Sequence, residues 1–459
     1  VAAQGDDVTV SVAERLVRFA VALDAPSLPT NVLDKAKLCL LDFIGCALES
    51  RDLPWGRQAV SFAISQGGSA ATIIGERGRS SIAEAAFANG MMGHGLVRED
   101  MHPPSSSHLG VVIWPTLLAL SEAGEATGGD LLAAAVSGYE AGGRIGRALI
   151  DREVARHFRP TSIVGPIGAA LAGARLLNVG DSAAISAIGL AANTACGLNE
   201  WPHTGGTEVF FHAGVAARNA VTSVLLAQLG TVASPTAIDG RAGLFAAFDR
   251  AERTDAIMPL SDGTFEILHV YLKPAPACNF VQTPCQAMLR LCRRLNVRAR
   301  DVVGIVVRTF PEAMAYPGCD YAGPYRSILQ AKMSIQFSVA AVLVTAEVEE
   351  RNYELLDDPE VVRLARATRI ELDEMLTAGF PERQGAEIKL ELSDGSQVSE
   401  RLDALEPCSP SDVRDRFRKA GVSVWGAARA DRVGEIVDGL ERLDHARRLA
   451  SELAGSGDV

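Results

Sequence analysis

Lysine is scarce in this chain: six of its 459 residues are Lys, and arginine supplies the rest of the 44 cationic side chains. Against 56 acidic residues the formal net charge is -12, which excludes the basic face that nucleic acid or an anionic membrane surface requires. Aromatic residues make up only 5% of the chain, so small aliphatic groups rather than rings must fill the core. The eight cysteines include no Cys-x-x-Cys pair, which argues against a disulfide framework or a zinc site and fits a reducing cytoplasm. Cys278, Cys285 and Cys292 recur every seven residues and are expected on one helix face as small core residues without chemistry. Long apolar runs are also missing. Stretches such as 185–198 are too short and interrupted to span a bilayer, and residues 1–9 lack a basic segment leading into an apolar one, so a soluble cytoplasmic protein is expected. No nucleophile elbow, phosphate-binding glycine loop or His-x-x-x-His spacing occurs, and neither metal nor cofactor is expected.

What is abundant is small and apolar: 48% of residues are hydrophobic and 43 are glycine, the composition of closely packed helices. Apolar residues recur at helical spacing over 10–23, 30–49, 110–126, 130–150, 163–177, 182–197 and 213–229. Beyond residue 249 the pattern changes to a strand over 268–272, a helix over 281–295, a strand over 302–309, a helix over 328–345 and another near 359–364. Alternation over 386–392, the turn Ser393-Asp394-Gly395-Ser396, and 397–402 predict a hairpin. After Pro407 the chain is helical and charged again. The fold class is therefore mainly α, with a large helical domain (1–266), a smaller α+β lid (267–406) and C-terminal helices (407–459) that pack back on the first domain.

The segment from Gly93 to Gly110 gathers His94, His102 and His108 with Arg98, Glu99 and Asp100 into a Pro- and Ser-rich loop between apolar helices. Histidines and carboxylates move protons near neutral pH, and a guanidinium can hold an anion by a two-pronged hydrogen bond. A second polar, glycine-containing loop, 199–208, brings Trp201 and His203 to a plausible cleft wall.

Several fragments carry a family likeness in their order and spacing: Leu41-Asp42-Phe43-Ile44-Gly45, Gly138-Tyr139-Glu140, Pro160-Thr161 with Gly165 and Gly168, Gly214-Val215-Ala216-Ala217, Lys273-Pro274 with Pro276-Ala277-Cys278, and Ala331-Lys332-Met333-Ser334. On these the chain resembles the MmgE/PrpD family. The resemblance implies a helical body with an α+β lid, a homodimer, no metal or organic cofactor, and small carboxylic acids as substrates.

Site residues transfer unevenly. The family's loop, Asp-Phe-Asp-Asp-Thr-x-His-Pro-x-x-His-Pro, accepts His94, Glu99, Asp100 and His108 if one residue is inserted before His108. Val97, or Arg98 in the shifted register, stands for the first Asp, and Met101 for the Thr. Arg159 replaces the His of the motif that reads His157-Phe158-Arg159-Pro160-Thr161 here, and Val209, beside Glu208, stands where the family has a Lys. Lys273, His108 and Tyr321 survive. The resemblance thus implies a cofactor-independent lyase, a dehydratase or decarboxylase, that abstracts a proton next to a carboxylate. His108 is its base or acid, Lys273, Glu99, Asp100 and Tyr321 complete the catalytic set, and Arg98, Arg159, His94, His102 and His203 bind substrate. An epimerase or isomerase would use the same residues, and the exchanged His and Lys leave room for a catalytically silent binding protein.

Overall fold

Small residues set the helix spacing in the computed structural model, which describes residues 10–258, 260, 263–295 and 297–455. The expectation for residues 1–9 lies outside the described residues. A Cβ on Gly168 would stand 2.5 Å from the Gly138 carbonyl, and one on Gly214 2.8 Å from that of Phe87. These two close approaches pack the helix Gly128–Leu149 on Pro160–Leu176, and Ile82–His94 on Glu208–Gln228. Glu208–Gln228 is long and apolar enough by composition to cross a membrane, which the sequence reading did not flag, but 61% of its apolar window is buried inside the fold. Side-chain caps fix other helix starts. Ser11 with Glu14, Thr127 with Asp130 and Ser409 with Asp412 each form a reciprocal capping box.

The protein is mainly α with a smaller α+β part. Among the described residues the one sheet of more than two strands has the order Thr368–Leu372, Val302–Thr309, Ala386–Leu392, Gln397–Leu402, with the first pair parallel and the others antiparallel. Ala386, Ile388 and Leu390 turn inward and cover the helix Gln282–Arg294, while Glu387, Lys389 and Glu391 face outward, as period-two alternation requires. The strand Val302–Thr309 and the hairpin match the sequence reading. The expected strand over 268–272 does not form: Glu266–His269 is a 3-10 turn, and Tyr271 makes only an isolated bridge to Met101. The helix expected over 328–345 breaks at Ser334, whose Oγ accepts the Phe337 N–H at 2.9 Å and starts a second helix, Ile335–Thr345. Cys278 lies ahead of the helix that carries Cys285 and Cys292, so the seven-residue spacing does not put the three on one face.

The C-terminal helix Pro410–Trp425 packs on Thr30–Ser50, where a Cβ on Gly45 would lie 3.3 Å from Phe417 Cα. From the same helix, Arg416 donates to the carbonyls of Lys273 (3.0 Å) and Pro274 (2.7 Å), tying three distant stretches of chain beside the site loop.

Candidate active site

The site begins where the helix Ile82–His94 ends. Val97 has φ 56°, a left-handed conformation that costs a β-branched residue about 1–3 kcal/mol and must be held by its surroundings. Two buried lysines from the sheet-bearing part hold it. Lys332 Nζ donates to the Leu96 carbonyl at 2.8 Å and pairs with Glu350 at 2.7 Å, and Lys273 Nζ donates to the Val97 carbonyl. Burial pulls the Lys273 ammonium down to about 8, against the opposing pull of Glu99.

With the turn fixed, three side chains of the loop meet. Glu99 Oε1 lies 2.6 Å from His94 Nδ1 and 3.0 Å from His108 Nδ1. The tautomers follow from the partners. His108 Nδ1 also sits 2.8 Å from the Asp100 carbonyl, and a carbonyl can only accept, so Nδ1 carries the proton and Nε2 the lone pair. His94 Nε2 lies 3.1 Å from Arg159 Nη2, a pure donor, so His94 accepts there and donates from Nδ1 to Glu99. Burial depresses both imidazoles, His108 to about 3, with the Lys273 and Arg159 cations adding to the effect. Burial works against the Glu99 anion too, but its two imidazole partners outweigh this and hold its pKa well below the usual range. The result is one carboxylate between two neutral, oriented rings.

This cluster opens on a cleft of about 980 Å³ between the helical body and the sheet-bearing part. His108, Arg159, Asn199, Trp201, Cys278, Phe280 and Tyr316 are among the residues that line it. Backbone pairing places Arg159: its N–H donates to the Gly197 carbonyl at 2.9 Å, the Asn199 N–H donates to His157 at 2.9 Å, and Pro160 opens the helix behind it. Arg159 Nη1 donates to the Tyr316 hydroxyl at 3.3 Å, while its buried Nε has no partner. Among the described residues no carboxylate pairs with Arg159, which leaves its charge for an incoming anion. The Trp201 Nε1–H, also buried on the cleft wall, has no partner either. Among the described residues no group of three or more His, Cys, Asp or Glu could hold a metal ion.

The other expected site residues are placed as follows. His203 lies exposed on the cleft wall. Asp100 supports the helix start instead: it accepts the Tyr139 hydroxyl at 2.5 Å and the Gly110 N–H at 3.2 Å, and burial lifts its pKa to about 7, assisted by the Glu99 charge. Arg98 turns away to Glu49 on the helix Thr30–Ser50, at 2.7 and 3.0 Å. His102 binds Ser105 Oγ at 2.7 Å and lies 2.9 Å from Glu266, off the cleft wall. The Tyr321 hydroxyl donates to the Pro324 carbonyl at 2.5 Å, and the tyrosine facing Arg159 is Tyr316. Lys273 acts on the loop backbone rather than on the cleft. Sequence reasoning placed Trp201 on the cleft wall but gave no site role to Lys332, Tyr316 or Tyr139. Lys332 and Tyr139 carried a signal, each inside a recognised fragment, and Lys332 is one of only six lysines in the chain.

Similarity to known proteins agrees with this architecture. A cis-aconitate decarboxylase of Aspergillus terreus is 24% identical over 461 aligned residues, covering 94% of each chain. A cis-aconitate decarboxylase-like protein of Aspergillus oryzae is 26% identical over 97% of this chain and 98% of its own. The cis-aconitate decarboxylase of Mus musculus is 24% identical over 81% of this chain and 78% of its own. Residues 14–256 match the MmgE/PrpD N-terminal domain and residues 275–442 the MmgE/PrpD C-terminal domain. The chain belongs to the MmgE/PrpD family.

Proposed function

We propose that this protein is a cofactor-independent lyase that removes carbon dioxide or water from a small carboxylic acid, with His108 Nε2 as the proton-transfer atom. The observation that carries the reading is the presence, in the lining of one cleft, of a neutral imidazole whose Nδ1 is already engaged and of a guanidinium that no carboxylate among the described residues neutralises. Arg159 receives a substrate carboxylate. His108 Nε2 takes a proton from the carbon next to it, and the charge that develops spreads toward the guanidinium, where it is stabilised. Glu99 then faces an imidazolium and steadies it, as a buried carboxylate behind a catalytic histidine does. In dehydration the hydroxyl leaves from the neighbouring carbon, taking up a proton. In decarboxylation no carbon proton is removed: the bond to the departing carboxylate breaks, its electron pair stays on the carbon as carbon dioxide leaves, and Nε2, having taken a proton from solvent, gives it to that carbon. The names of the relatives favour decarboxylation.

The test is incubation with cis-aconitate and with hydroxy di- and tricarboxylic acids in deuterated water, followed by NMR. Release of carbon dioxide or water with solvent deuterium at the reacting carbon supports the lyase. Deuterium exchange with inversion and no loss of a group would assign an epimerase, and no exchange across the panel would overturn catalysis by this site. His108→Gln must abolish whatever exchange is seen.

A further inference from the structure

The proton-transfer scheme leaves one reactive group in the cleft unused. Cys278 lines the same cleft as His108 and Arg159, and its Sγ lies 3.6 Å from Cys319 Sγ. Both thiols are buried, Cys319 completely. The backbone pins them to one junction. The Cys278 N–H donates to the Lys332 carbonyl at 2.9 Å and the Ile335 N–H to the Cys319 carbonyl at 3.0 Å, on either side of the Ser334 helix break. Cys319 is held from the other direction by its own N–H, which donates to the Tyr316 carbonyl at 3.1 Å, and Tyr316 in turn carries Arg159.

The environment of Cys278 favours a thiolate. Burial pushes its pKa up, but the Cys319 thiol, the Phe280 N–H and the Lys273 and Arg159 cations together outweigh burial and bring it below the ordinary value. Cys319 is raised by burial and by the neighbouring Cys278, and so keeps its proton as donor. The two sulfurs therefore have different roles: one is nucleophilic and reached from the cleft, and the other is a proton-bearing partner behind it. Cys285, by contrast, is raised to about 12 by burial alone and has no thiol beside it.

We propose that Cys278 and Cys319 form a redox modification site that takes a small peroxide. The Cys278 thiolate attacks one peroxide oxygen, the O–O bond breaks, hydroxide leaves, and Cys278 becomes a sulfenic acid. The Cys319 sulfur then attacks the Cys278 sulfur as its own proton departs, the S–O bond breaks and water leaves. Two thiols are oxidised to one disulfide, and the peroxide is reduced to two waters. Closing from 3.6 Å to a bonded distance of about 2.05 Å takes the Cys278 sulfur off the cleft wall toward Cys319. The linkage shortens the path between the Lys273 and Tyr316 segments, the two that hold Val97 and Arg159. The site stands on the thiols themselves and not on the reaction assigned to His108.

The experiment uses the full chain with Cys196→Ser, which removes the exposed thiol. The protein is treated with hydrogen peroxide, unfolded, alkylated with iodoacetamide and digested for mass spectrometry. The expected result is a Cys278–Cys319 linked peptide that forms roughly tenfold faster than Cys285 is lost, and that dithiothreitol reverses. In Cys319→Ser the linked peptide disappears and dimedone captures a sulfenic acid at Cys278. Recovery of both cysteines fully alkylated after peroxide, or oxidation of Cys285 as fast as Cys278, overturns the proposal. If Cys319→Ser does not fold, the linked peptide in the Cys196→Ser chain decides alone.

Discussion

One loop supplies the histidines of two buried histidine–carboxylate clusters, and only one of them borders the cleft. His94, Glu99 and His108 form the first, and His102 with Glu266 the second, where Glu266 also meets Arg147 at 2.9 Å and its N–H donates to Glu140 at 2.5 Å. The residue types are the same, and burial depresses all three histidines. What differs is the atom left over. In the second cluster Ser105 takes one ring nitrogen of His102 and Glu266 faces the other, so the ring crosslinks the loop to the stretch after residue 263. In the first, the polar contacts of the His108 ring converge on its Nδ1, and the ring lines the cleft with no protein partner at Nε2 among the described residues. A cluster of polar residues marks a site only when its hydrogen-bond accounting leaves a remainder facing a cavity.

The sharpest way to break this contrast is to exchange the fates of the two rings. His108→Gln should lower turnover by about a hundredfold or more, the usual worth of a general acid–base group, while circular dichroism shows the fold retained. His102→Gln should leave turnover within a few-fold. If His102→Gln abolishes turnover in a stably folded protein, the wrong histidine has been given the chemistry. Arg159→Ala is the next largest effect. Losing a charged hydrogen bond to substrate costs about 1.5–3 kcal/mol, so the Michaelis constant should rise roughly 10- to 100-fold with a smaller change in kcat. A fall in kcat alone would mean that the guanidinium acts through the His94 tautomer and not on the substrate.

The sequence showed some parts of this arrangement and concealed others, for physical reasons. The strand Val302–Thr309 was visible as a short run rich in β-branched residues, nearly all of them buried, and the hairpin after it because Ala386–Leu392 alternates with period two ahead of a Gly-containing turn. The strand Thr368–Leu372 was not, because it is an edge strand of five residues with Arg369 and Glu371 among them. His108, Glu99 and Arg159 could be named from a family likeness, but which of them face the cleft depends on Val97 turning left-handed and on Lys332 holding the carbonyl before it. Asp100 and Arg98 carry the same letters as catalytic residues and are used to anchor helices. Tyr321 was chosen by alignment of a motif, whereas Tyr316, five residues earlier, is the one that reaches Arg159. Spacing along the chain does not reveal which way a loop residue turns.

The second cluster should show itself in stability. His102→Phe removes the partner of Ser105 and leaves Glu266 facing an apolar ring in a buried place, a loss of about 1–3 kcal/mol. Urea unfolding should register that loss, with turnover by the folded fraction unchanged. An unaltered midpoint would mean that Arg147 alone satisfies Glu266, and the crosslinking role of His102 would fall.

The smallest expected effect concerns acid. His108 titrates near 3 in the folded protein against an ordinary value of 6.5, so between those values the unfolded chain binds the extra proton. Its contribution to stability is complete above pH 6.5 and drains away as the pH falls toward 3. Asp42 and Asp100 act the other way. Burial raises both to about 7 from 3.8, so the folded protein binds more protons across that window and their contribution strengthens on acidification. The two trends overlap, and a single stability profile cannot separate them. His108→Gln removes the histidine term and leaves the aspartates in place. Between pH 7.5 and 5.5 the change in stability should therefore be less favourable for the parent than for the variant, by something on the order of 1 kcal/mol, since one pH unit below 6.5 is worth about 1.36 kcal/mol for a fully shifted group. Urea midpoints at the two pH values, for both proteins, give this difference of differences free of any constant cost of the substitution. Equal changes in the two proteins would show that His108 takes up a proton in the folded state as readily as in the unfolded one. The neutral ring on which the proton transfer depends would then not be present near pH 6.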